Sequence, residues 1–332
     1  MHKTRISLLA PGLAVVAALT MSACGSDTGS EASGSGTGSE SAEGPTVSTI
    51  FGDVTVPEDP QRVVALGWSD AETALALGVQ PVGASDWLAV GGDGLGPWVE
   101  DSYDTPPTML GTYEVSAEEV AALEPDLILW TRSTNDQETY DQLSEIAPTV
   151  AAPEGTEIAY GTTWDGQTEL VAEALGKAEQ GQELIAETNA AFDAAVEEHP
   201  EFQDKTAAVG TLYSGQLGAY VDGDVRVDFM NRLGFVNDPE IQERAEAGQF
   251  SVDLSAENAS VLDADLTVMF PIGETADVIE GEPVIANLPS ARDGRLIVLD
   301  DKALADAFSS ASVPGTLYAL DNAVPLFAAP LQ

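Results

Sequence analysis

Two stretches of the chain share one pattern of apolar and polar positions, residues 116–130 and 255–269. The pattern predicts a short helix that begins after a serine N-cap, then a turn and a short buried strand. Glu118 and Glu257 are then exposed in the first helical turn, where the helix dipole favours a carboxylate. The repeat therefore predicts two halves of similar build, each displaying one glutamate.

Elsewhere the pattern predicts strands that alternate with helices. Residues 46–57 alternate apolar and polar side chains around Gly52-Asp53, which indicates an edge hairpin. A buried strand at 62–67, a helix at 70–77 and a strand at 81–84 form a βαβ unit. Further strands are predicted at 149–151, 206–212, 219–224 and 295–299, and further helices at 140–146, 164–175, 229–233 and 314–331. This alternation predicts an α/β fold with ligands gathered where strands end.

One longer helix lies between the two repeats. Apolar positions keep helical spacing over residues 178–198, and Pro200 ends the pattern. At the helical rise this segment spans about 30 Å. Its position predicts a connecting helix between the two halves.

The beginning of the chain is predicted to be a secretory leader. A short basic segment precedes an apolar run at 8–21, which is too short to span a membrane. The run ends in Met-Ser-Ala before Cys24, the single cysteine, and this sequence resembles a bacterial lipobox. The resemblance implies removal of residues 1–23 and lipid attachment to Cys24. Residues 24–46, rich in Gly, Ser, Thr, Glu and Ala, form a predicted flexible tether.

Composition excludes one class of partner. The 332 residues include 56 acidic and 12 basic side chains, for a net charge of −44, and loss of Lys3 and Arg5 with the leader makes it −46. Phosphate contacts need clustered Lys and Arg, so nucleic-acid binding is excluded. The hydrophobic content of 44% is enough for sizeable cores and excludes global disorder.

The sequence lacks the residues that several kinds of catalytic or metal site require. His199 is the only histidine after the leader, and no Gly-x-Ser-x-Gly motif occurs. With Cys24 lipidated, no cysteine is left for a nucleophile or a metal. Asp222 and Asp224 indicate turn chemistry rather than a calcium loop. We predict no enzyme, no catalytic residue, no metal site and no resident cofactor, although catalysis by a carboxylate pair stays open.

Aromatic and cationic side chains at predicted strand–loop junctions are the candidate binding residues. The junction residues are Trp68, Trp87, Tyr113, Arg132, Tyr160, Trp164, Tyr213, Tyr220 and Arg226. An arginine can bind an oxygen-rich ligand in a forked geometry while aromatic rings cover its organic part. We select Trp68, Trp87, Tyr113, Arg132, Trp164, Tyr213 and Arg226 as the predicted ligand-binding set.

Over about residues 47–331 the chain resembles the iron–siderophore class of ABC-transporter substrate-binding lipoproteins, in the Fe/cobalamin periplasmic-binding family. The segments that carry the resemblance are 62–86, 111–129, 143–150, 160–176 and 318–325. It implies two Rossmann-like α/β lobes joined by a single long helix, with a ligand cleft between them. The expected boundaries are 47–176 for the N-terminal lobe, 177–199 for the connecting helix and 200–332 for the C-terminal lobe.

The resemblance also implies roles for particular positions. In this family a glutamate at a helix start on each lobe docks onto arginines of the permease, and the matching positions are Glu118 and Glu257. Trp68 and Tyr113 match places where aromatic residues contact ligand, whereas Arg132 and Arg226 are chosen from their chemistry. The implied partners are a ferric siderophore, an ABC permease dimer with its ATPase and, through Cys24, the outer face of the cell membrane.

Other interpretations remain open at this point. The same fold serves corrinoid and haem receptors, and the chain is also compatible with a lipid-anchored hydrolase or a structural surface lipoprotein. Among siderophores, the acidic surface predicts neutral or cationic hydroxamates rather than anionic catecholates.

Overall fold

The structure is a computed structural model that describes residues 43–87, 92–99, 102–111, 115–273 and 275–332. The leader, the lipidation residue Cys24 and the predicted ligand-binding residue Tyr113 lie outside these ranges. The described residues form one compact unit. No helix in the described ranges is long and apolar enough to cross a membrane.

A two-stranded antiparallel hairpin begins the described chain, with β1 at Glu43–Thr49 and β2 at Gly52–Pro57. The predicted hairpin is confirmed, but the chain turns at Ile50 and Phe51 rather than at Gly52-Asp53. The Thr49 hydroxyl fixes this turn, since it accepts from Phe51 N (3.2 Å) and donates to Gly52 O (2.9 Å). The strand also starts before the predicted end of the tether at residue 46.

The first large sheet has five parallel strands. They are β3 (Val63–Ala65), β4 (Gly83–Ser85), β5 (Thr108–Leu110), β6 (Leu127–Leu129) and β7 (Thr149–Val150). Their spatial order is β5-β4-β3-β6-β7, so the chain runs outward from β3 to β5 and then returns to the other side of β3. The carboxyl ends of β3 and β6 therefore form the topological switch point, where open α/β sheets bind ligands.

Four helices accompany this sheet: α1 (Asp70–Ala76), α2 (Ala117–Ala121), α3 (Gln137–Ser144) and α4 (Trp164–Ala174). The central strands are buried on both faces. Val63, Leu127 and Leu129 pack with Val171 of α4, while Val64 and Ile128 pack with other apolar residues on the opposite face. This double burial explains why the strands are continuous apolar runs in the sequence.

Helix α5 (Ala178–Glu198) has the predicted bounds and carries the chain from the first sheet to the second. It ends at His199, directly before Pro200. A 3-10 turn at Pro200–Phe202 follows.

The second sheet is mixed, in contrast to the first. Its strands are β8 (Thr206–Tyr213), β9 (Gln216–Tyr220), β10 (Val236–Asn237), β11 (Ser251–Leu254), β12 (Leu266–Ile272) and β13 (Leu296–Val298). The order is β11-β9-β8-β12-β13, with β10 paired to β8. Strand β9 is antiparallel to both β8 and β11, so β11 runs in the same direction as β8. The strand predicted at 219–224 is wrong beyond Tyr220, because Asp224 is instead the N-cap of the next helix.

The remaining helices are α6 (Val225–Arg232), α7 (Pro239–Gln242), α8 (Ala276–Gly281), α9 (Pro283–Ala286), α10 (Pro289–Arg292), α11 (Lys302–Ser310) and α12 (Val313–Ala328). The closing helix was predicted at 314–331; it ends at Ala328, and a 3-10 turn, Ala329–Leu331, completes the segment. Sequence reasoning missed α11 entirely.

The repeated stretch is half confirmed. In the first copy, the Ser116 hydroxyl accepts from Glu119 N (3.3 Å) and caps α2. In the second copy the predicted helix at Ser255 is wrong: a turn follows, and only a 3-10 turn forms, Ala259–Leu262. Asn258 and Ser260 replace good helix formers there, and such side chains compete with helical hydrogen bonds.

A shared aspartate of the repeat has the same task in both copies. Asp126 precedes β6 and accepts from the backbone N–H of Arg62 (2.8 Å), at the start of β3. Asp265 precedes β12 and accepts from the backbone N–H of Thr206 (3.0 Å), at the start of β8. Each aspartate thus ties together the amino ends of two neighbouring parallel strands.

Candidate ligand-binding site

A cavity of about 400 Å³ opens at the switch point of the first sheet. Its lining residues follow β3, β6 or β7, or lie beside α2 or at the start of α3. They are Leu66, Trp68, Val115, Trp130, Arg132, Ser133, Thr134, Asp136, Thr139 and Tyr160. The volume and the mixture of aromatic and hydroxyl groups suit a small organic ligand.

Trp68 lies directly after β3 and forms one aromatic wall. Its ring centroid is 4.4 Å from that of Tyr160 and 6.0 Å from that of Trp87, which follows β4. Trp87 is 5% exposed, and its indole Nε1 has no hydrogen-bond partner among the described residues. Two predicted ligand-binding residues are thus brought together at the carboxyl edge of the first sheet.

The buried carboxyl group of Asp70 positions the loops beneath this wall. It accepts from Gly67 N (2.9 Å), Thr131 N (3.1 Å) and Gln167 Nε2 (2.8 Å), and also from the Thr131 hydroxyl. Gly67 has to be glycine here, because an added Cβ would lie 2.3 Å from the Asp70 carboxylate. Burial raises the pKa of Asp70 to about 6, against the opposing effect of these hydrogen bonds.

Arg132 lines the cavity but is only 1% exposed. Each of its side-chain nitrogens donates to a carbonyl oxygen: Nε to Tyr160 (3.1 Å), Nη2 to Ser309 (3.0 Å) and Nη1 to Ser310. Ser309 and Ser310 end α11, where a cation complements the helix dipole. Burial, followed by the neighbouring charge of Arg226, lowers the pKa of Arg132 to about 9.

Tyr160 has a left-handed backbone conformation, with φ of 57°. Its N–H donates to Ser133 O (2.7 Å) and its carbonyl accepts from Arg132, so contacts on both sides hold this costly conformation. The Tyr160 ring meets Phe250 edge-on at 6.1 Å, which joins the cavity to the second half of the chain. Sequence reasoning placed Tyr160 among the junction residues but left it out of the ligand-binding set.

Arg226, in the second half of the chain, does not line the cavity but lies close to a partner of Arg132. Its Nε and Nη2 donate to the two carboxylate oxygens of Asp224 at 2.8 and 2.6 Å. The guanidinium carbon lies 3.7 Å from the ring centroid of Tyr220. Burial opposes its charge, but Asp224 more than offsets this and raises the pKa of Arg226. Its Nη1 also approaches the Ser309 hydroxyl (3.4 Å), which places it close to the carbonyls that Arg132 binds.

Four of the predicted ligand-binding residues do not line the cavity: Trp87, Trp164, Tyr213 and Arg226. Trp164 is 3% exposed on α4 and stacks on Phe192 of α5, with the Arg232 guanidinium 5.0 Å from its ring centroid. Tyr213 ends β8, is 59% exposed and is in register with Ile272 of β12. Tyr213 thus stands at the carboxyl edge of the second sheet, whereas Trp164 belongs to the packing between helices.

Both glutamates of the repeat are exposed, and both lie at carboxyl edges. Glu118 is in the first turn of α2, after β5, and Glu257 follows β11. Because β11 runs in the same direction as β8, Glu257 is at the edge of the second sheet where β8 and β12 end.

Within the described ranges, no three His, Cys, Asp or Glu side chains are grouped so that they could hold a metal ion.

Most of the chain matches a known protein family. The profile of the periplasmic binding protein family matches residues 63–303. The probable siderophore-binding lipoprotein YfiY of Bacillus subtilis is 30% identical over 275 residues, covering 81% of this chain and 79% of YfiY. The Fe(3+)-citrate-binding protein YfmC of the same organism is 27% identical over 252 residues, covering 75% of this chain and 76% of YfmC.

A solved structure gives the same likeness at the level of the fold. The crystal structure of a periplasmic solute binding protein from Mycobacterium smegmatis superimposes with a TM-score of 0.73 at 32% identity. The superposition covers 86% of this chain and 98% of the other.

Proposed function

Because the chain belongs to the periplasmic binding protein family, we propose that it is a lipid-anchored receptor that captures a ferric siderophore and delivers it to an ABC permease. The family consists of binding proteins rather than enzymes. The chain is the substrate-binding component of an iron–siderophore importer, and it works outside the cytoplasm.

The single observation that carries the proposal is the aromatic cavity at the switch point of the first sheet. A ferric siderophore presents an organic shell of modest size around its iron, so it needs apolar faces and a few hydrogen-bonding groups. Trp68, Trp130 and Tyr160 supply the faces, and the hydroxyls of Thr134 and Thr139 stand beside them. The protein is proposed to hold the chelate through its organic shell, without ligating the iron.

We also propose how the two large sheets and α5 are arranged around the ligand. Each large sheet is taken as the centre of one Rossmann-like lobe, α5 as the single connecting helix and the space between the two carboxyl edges as the ligand cleft. The contact of Tyr160 with Phe250 and the exposed Tyr213 support this arrangement, since they lie on the sides of the two sheets that would face a common ligand.

Delivery is proposed to use Glu118 and Glu257. Both are exposed at carboxyl edges, one on each sheet, so a permease that binds both can sense the separation of the two lobes. Each exposed ion pair is weak alone. Two pairs that form together gain from the high effective concentration of the second.

Tryptophan fluorescence tests ligand capture directly. Mature protein is titrated with iron-loaded siderophores and with the same siderophores free of iron, and we expect quenching by at least one iron-loaded form. Trp68→Phe should reduce the quenching, whereas Trp164→Phe, in the packing between α4 and α5, should leave it. Absence of binding to every iron-loaded chelate, or equal loss of signal in both variants, contradicts the proposal.

A further inference from the structure

We infer that the ligand is a ferric chelate without net negative charge, namely a neutral or cationic trihydroxamate. The inference rests on the proposed function and goes beyond it by naming the chelate class. It depends on where the few basic residues of this chain lie and on what they already bind.

The two arginines nearest the site are both engaged within the protein. All three nitrogens of the Arg132 side chain donate to carbonyl oxygens, and two of these end α11. Arg226 is 8% exposed and gives two of its nitrogens to Asp224. Three of the five N–H groups of Arg132 are used in this way on a side chain that is 1% exposed, and Asp224 already balances the charge of Arg226. Neither guanidinium is therefore open to pair with an anionic ligand.

Among the described basic residues, Arg132 alone lines the cavity, and Arg226 lies near it. The others are Arg62, Lys177, Lys205, Arg232, Arg244, Arg292, Arg295 and Lys302. Arg62, Lys205 and Arg295 directly precede β3, β8 and β13. They therefore stand at the amino ends of the strands, opposite the carboxyl ends that form the site.

The stretches between the described ranges cannot supply a cation either, since their sequence contains none. Residues 88–91, 100–101, 112–114 and 274 include four acidic residues and no Lys, Arg or His. Any of these side chains that reached the ligand would make its surroundings more negative or leave them neutral.

What the cavity does present is aromatic, hydroxylic and acidic. Asp136 is exposed and lines the cavity, where it caps α3 by accepting from Thr139 N (2.8 Å). The rings of Trp68 and Tyr160 have negative faces that attract cations. Such a lining favours an uncharged or positive ligand over a negative one.

The net charge of the ferric complex depends on the class of siderophore, so a preference for uncharged or positive ligands selects a class. Three hydroxamates carry three negative charges, which neutralise Fe³⁺, and an added amine makes the complex cationic. Three catecholates carry six, so their ferric complex keeps three negative charges. An anion bound here would lie beside Asp136 on a protein with a net charge of −44, and the one cation on the lining, Arg132, is buried and already donates to three carbonyls.

A charge series of ferric chelates tests the inference by tryptophan fluorescence. The probes are neutral ferrichrome, cationic ferrioxamine B, ferric enterobactin with three negative charges, and ferric citrate. We expect a Kd for at least one hydroxamate that is lower by about tenfold or more than for either anionic complex.

Asp136→Asn gives a second readout, because asparagine keeps the helix cap but removes the charge. The Kd for ferrioxamine B should rise about threefold or more in this variant, while the Kd for ferrichrome stays unchanged. Asp141→Asn makes the same change of charge on α3 at an exposed position away from the cavity lining, and it should alter neither Kd.

The outcomes separate the inference from the proposed function. Tighter binding of enterobactin or citrate overturns the chelate class and leaves the receptor function intact. A failure of every ferric chelate to bind overturns the receptor function itself, and the class with it.

Discussion

Arg132 connects three separate parts of the chain through one side chain. It follows β6, its Nε holds the carbonyl of Tyr160, and its two terminal nitrogens hold the carbonyls of Ser309 and Ser310 at the end of α11. Only guanidinium offers several donors in one rigid plane. At the scale of the single residue, Arg132 is therefore a positioning residue for the Tyr160 wall and for α11, and a direct contact with ligand stays a prediction.

Substitution by lysine tests this role. A compact ammonium keeps the charge but cannot reach carbonyls on both Tyr160 and α11, so at least one buried carbonyl loses its donor. Arg132→Lys should lower the free energy of unfolding by about 2 kcal/mol. Urea unfolding followed by circular dichroism measures the loss.

Arg62→Lys is the matched control. Arg62 Nε also donates to two carbonyls, those of Leu123 and Glu124 at 3.0 Å, but its side chain is exposed and water can replace it. The expected loss is below about 1 kcal/mol. Equal losses in the two variants would show that burial of the Arg132 contacts contributes nothing.

At the scale of elements, the two copies of the repeat differ in one feature, the helix. Helix α2 forms after Ser116, whereas the turn after Ser255 leads only to a 3-10 turn. The strand and the aspartate before it are retained in both copies. Both copies of the repeat thus keep two features: an aspartate that links neighbouring strands and an exposed glutamate.

The difference predicts unequal effects of one substitution. Ser116→Ala removes the hydroxyl that accepts from Glu119 N and should lower the free energy of unfolding by about 1 kcal/mol. Ser255→Ala removes an exposed hydroxyl that caps no helix and should change it by less than about 0.5 kcal/mol. Thermal or urea denaturation distinguishes the two, and an equal cost at Ser255 would indicate that a capped helix forms there as well.

At the scale of the whole molecule, three basic residues and the two glutamates of the repeat lie at opposite ends of the strands. Basic residues stand at the amino ends of β3, β8 and β13, and the exposed Glu118 and Glu257 stand at the carboxyl edges. The carboxyl edges thus combine a ligand site of low positive charge with two acidic contact points. In the proposed function, a permease that presents arginines binds these points while the ligand faces it.

Glu118→Ala combined with Glu257→Ala should abolish siderophore uptake by cells and leave the Kd of the purified protein for its ligand unchanged. Neither glutamate lines the cavity, so the loss would arise at the docking step. Glu183→Ala with Glu197→Ala removes the same charge from exposed positions on α5 and should leave uptake intact. Normal uptake in the first double variant, or equal loss in both, contradicts the docking assignment.

Much of the architecture could be predicted because it follows from local pattern. The bounds of α5, the central strands β3 and β6 and the cap at Ser116 all depend on residues close in sequence. Helix α11 was missed although its Asp301 cap precedes a helical pattern. Its last carbonyls are satisfied by Arg132, a partner that no local window contains.

The residues of the candidate site were also predicted only in part from local sequence. Trp68 and Trp87 were predicted from their place after strands, and the structure brings their rings together. Trp164 has the same local signature, yet it packs against Phe192 between helices. Composition also selected Arg132 and Arg226. It does not reveal that Arg132 donates to a carbonyl distant in sequence, or that Arg226 is paired with Asp224 two positions away.

The sequence by itself predicted the leader and the tether, and it determined the charge, the alternation of strands and helices and the position of one glutamate on each half, since these depend on composition and short-range periodicity. Only the tertiary structure decided the all-parallel first sheet against the mixed second one, the left-handed turn at Tyr160 and the buried commitments of the two arginines. The sheet pairings, the turn at Tyr160 and the bonds from Arg132 to Ser309 and Ser310 join residues far apart in the chain, so no local pattern specifies them. Arg226 pairs with Asp224 two positions away, but only the folded chain buries this pair.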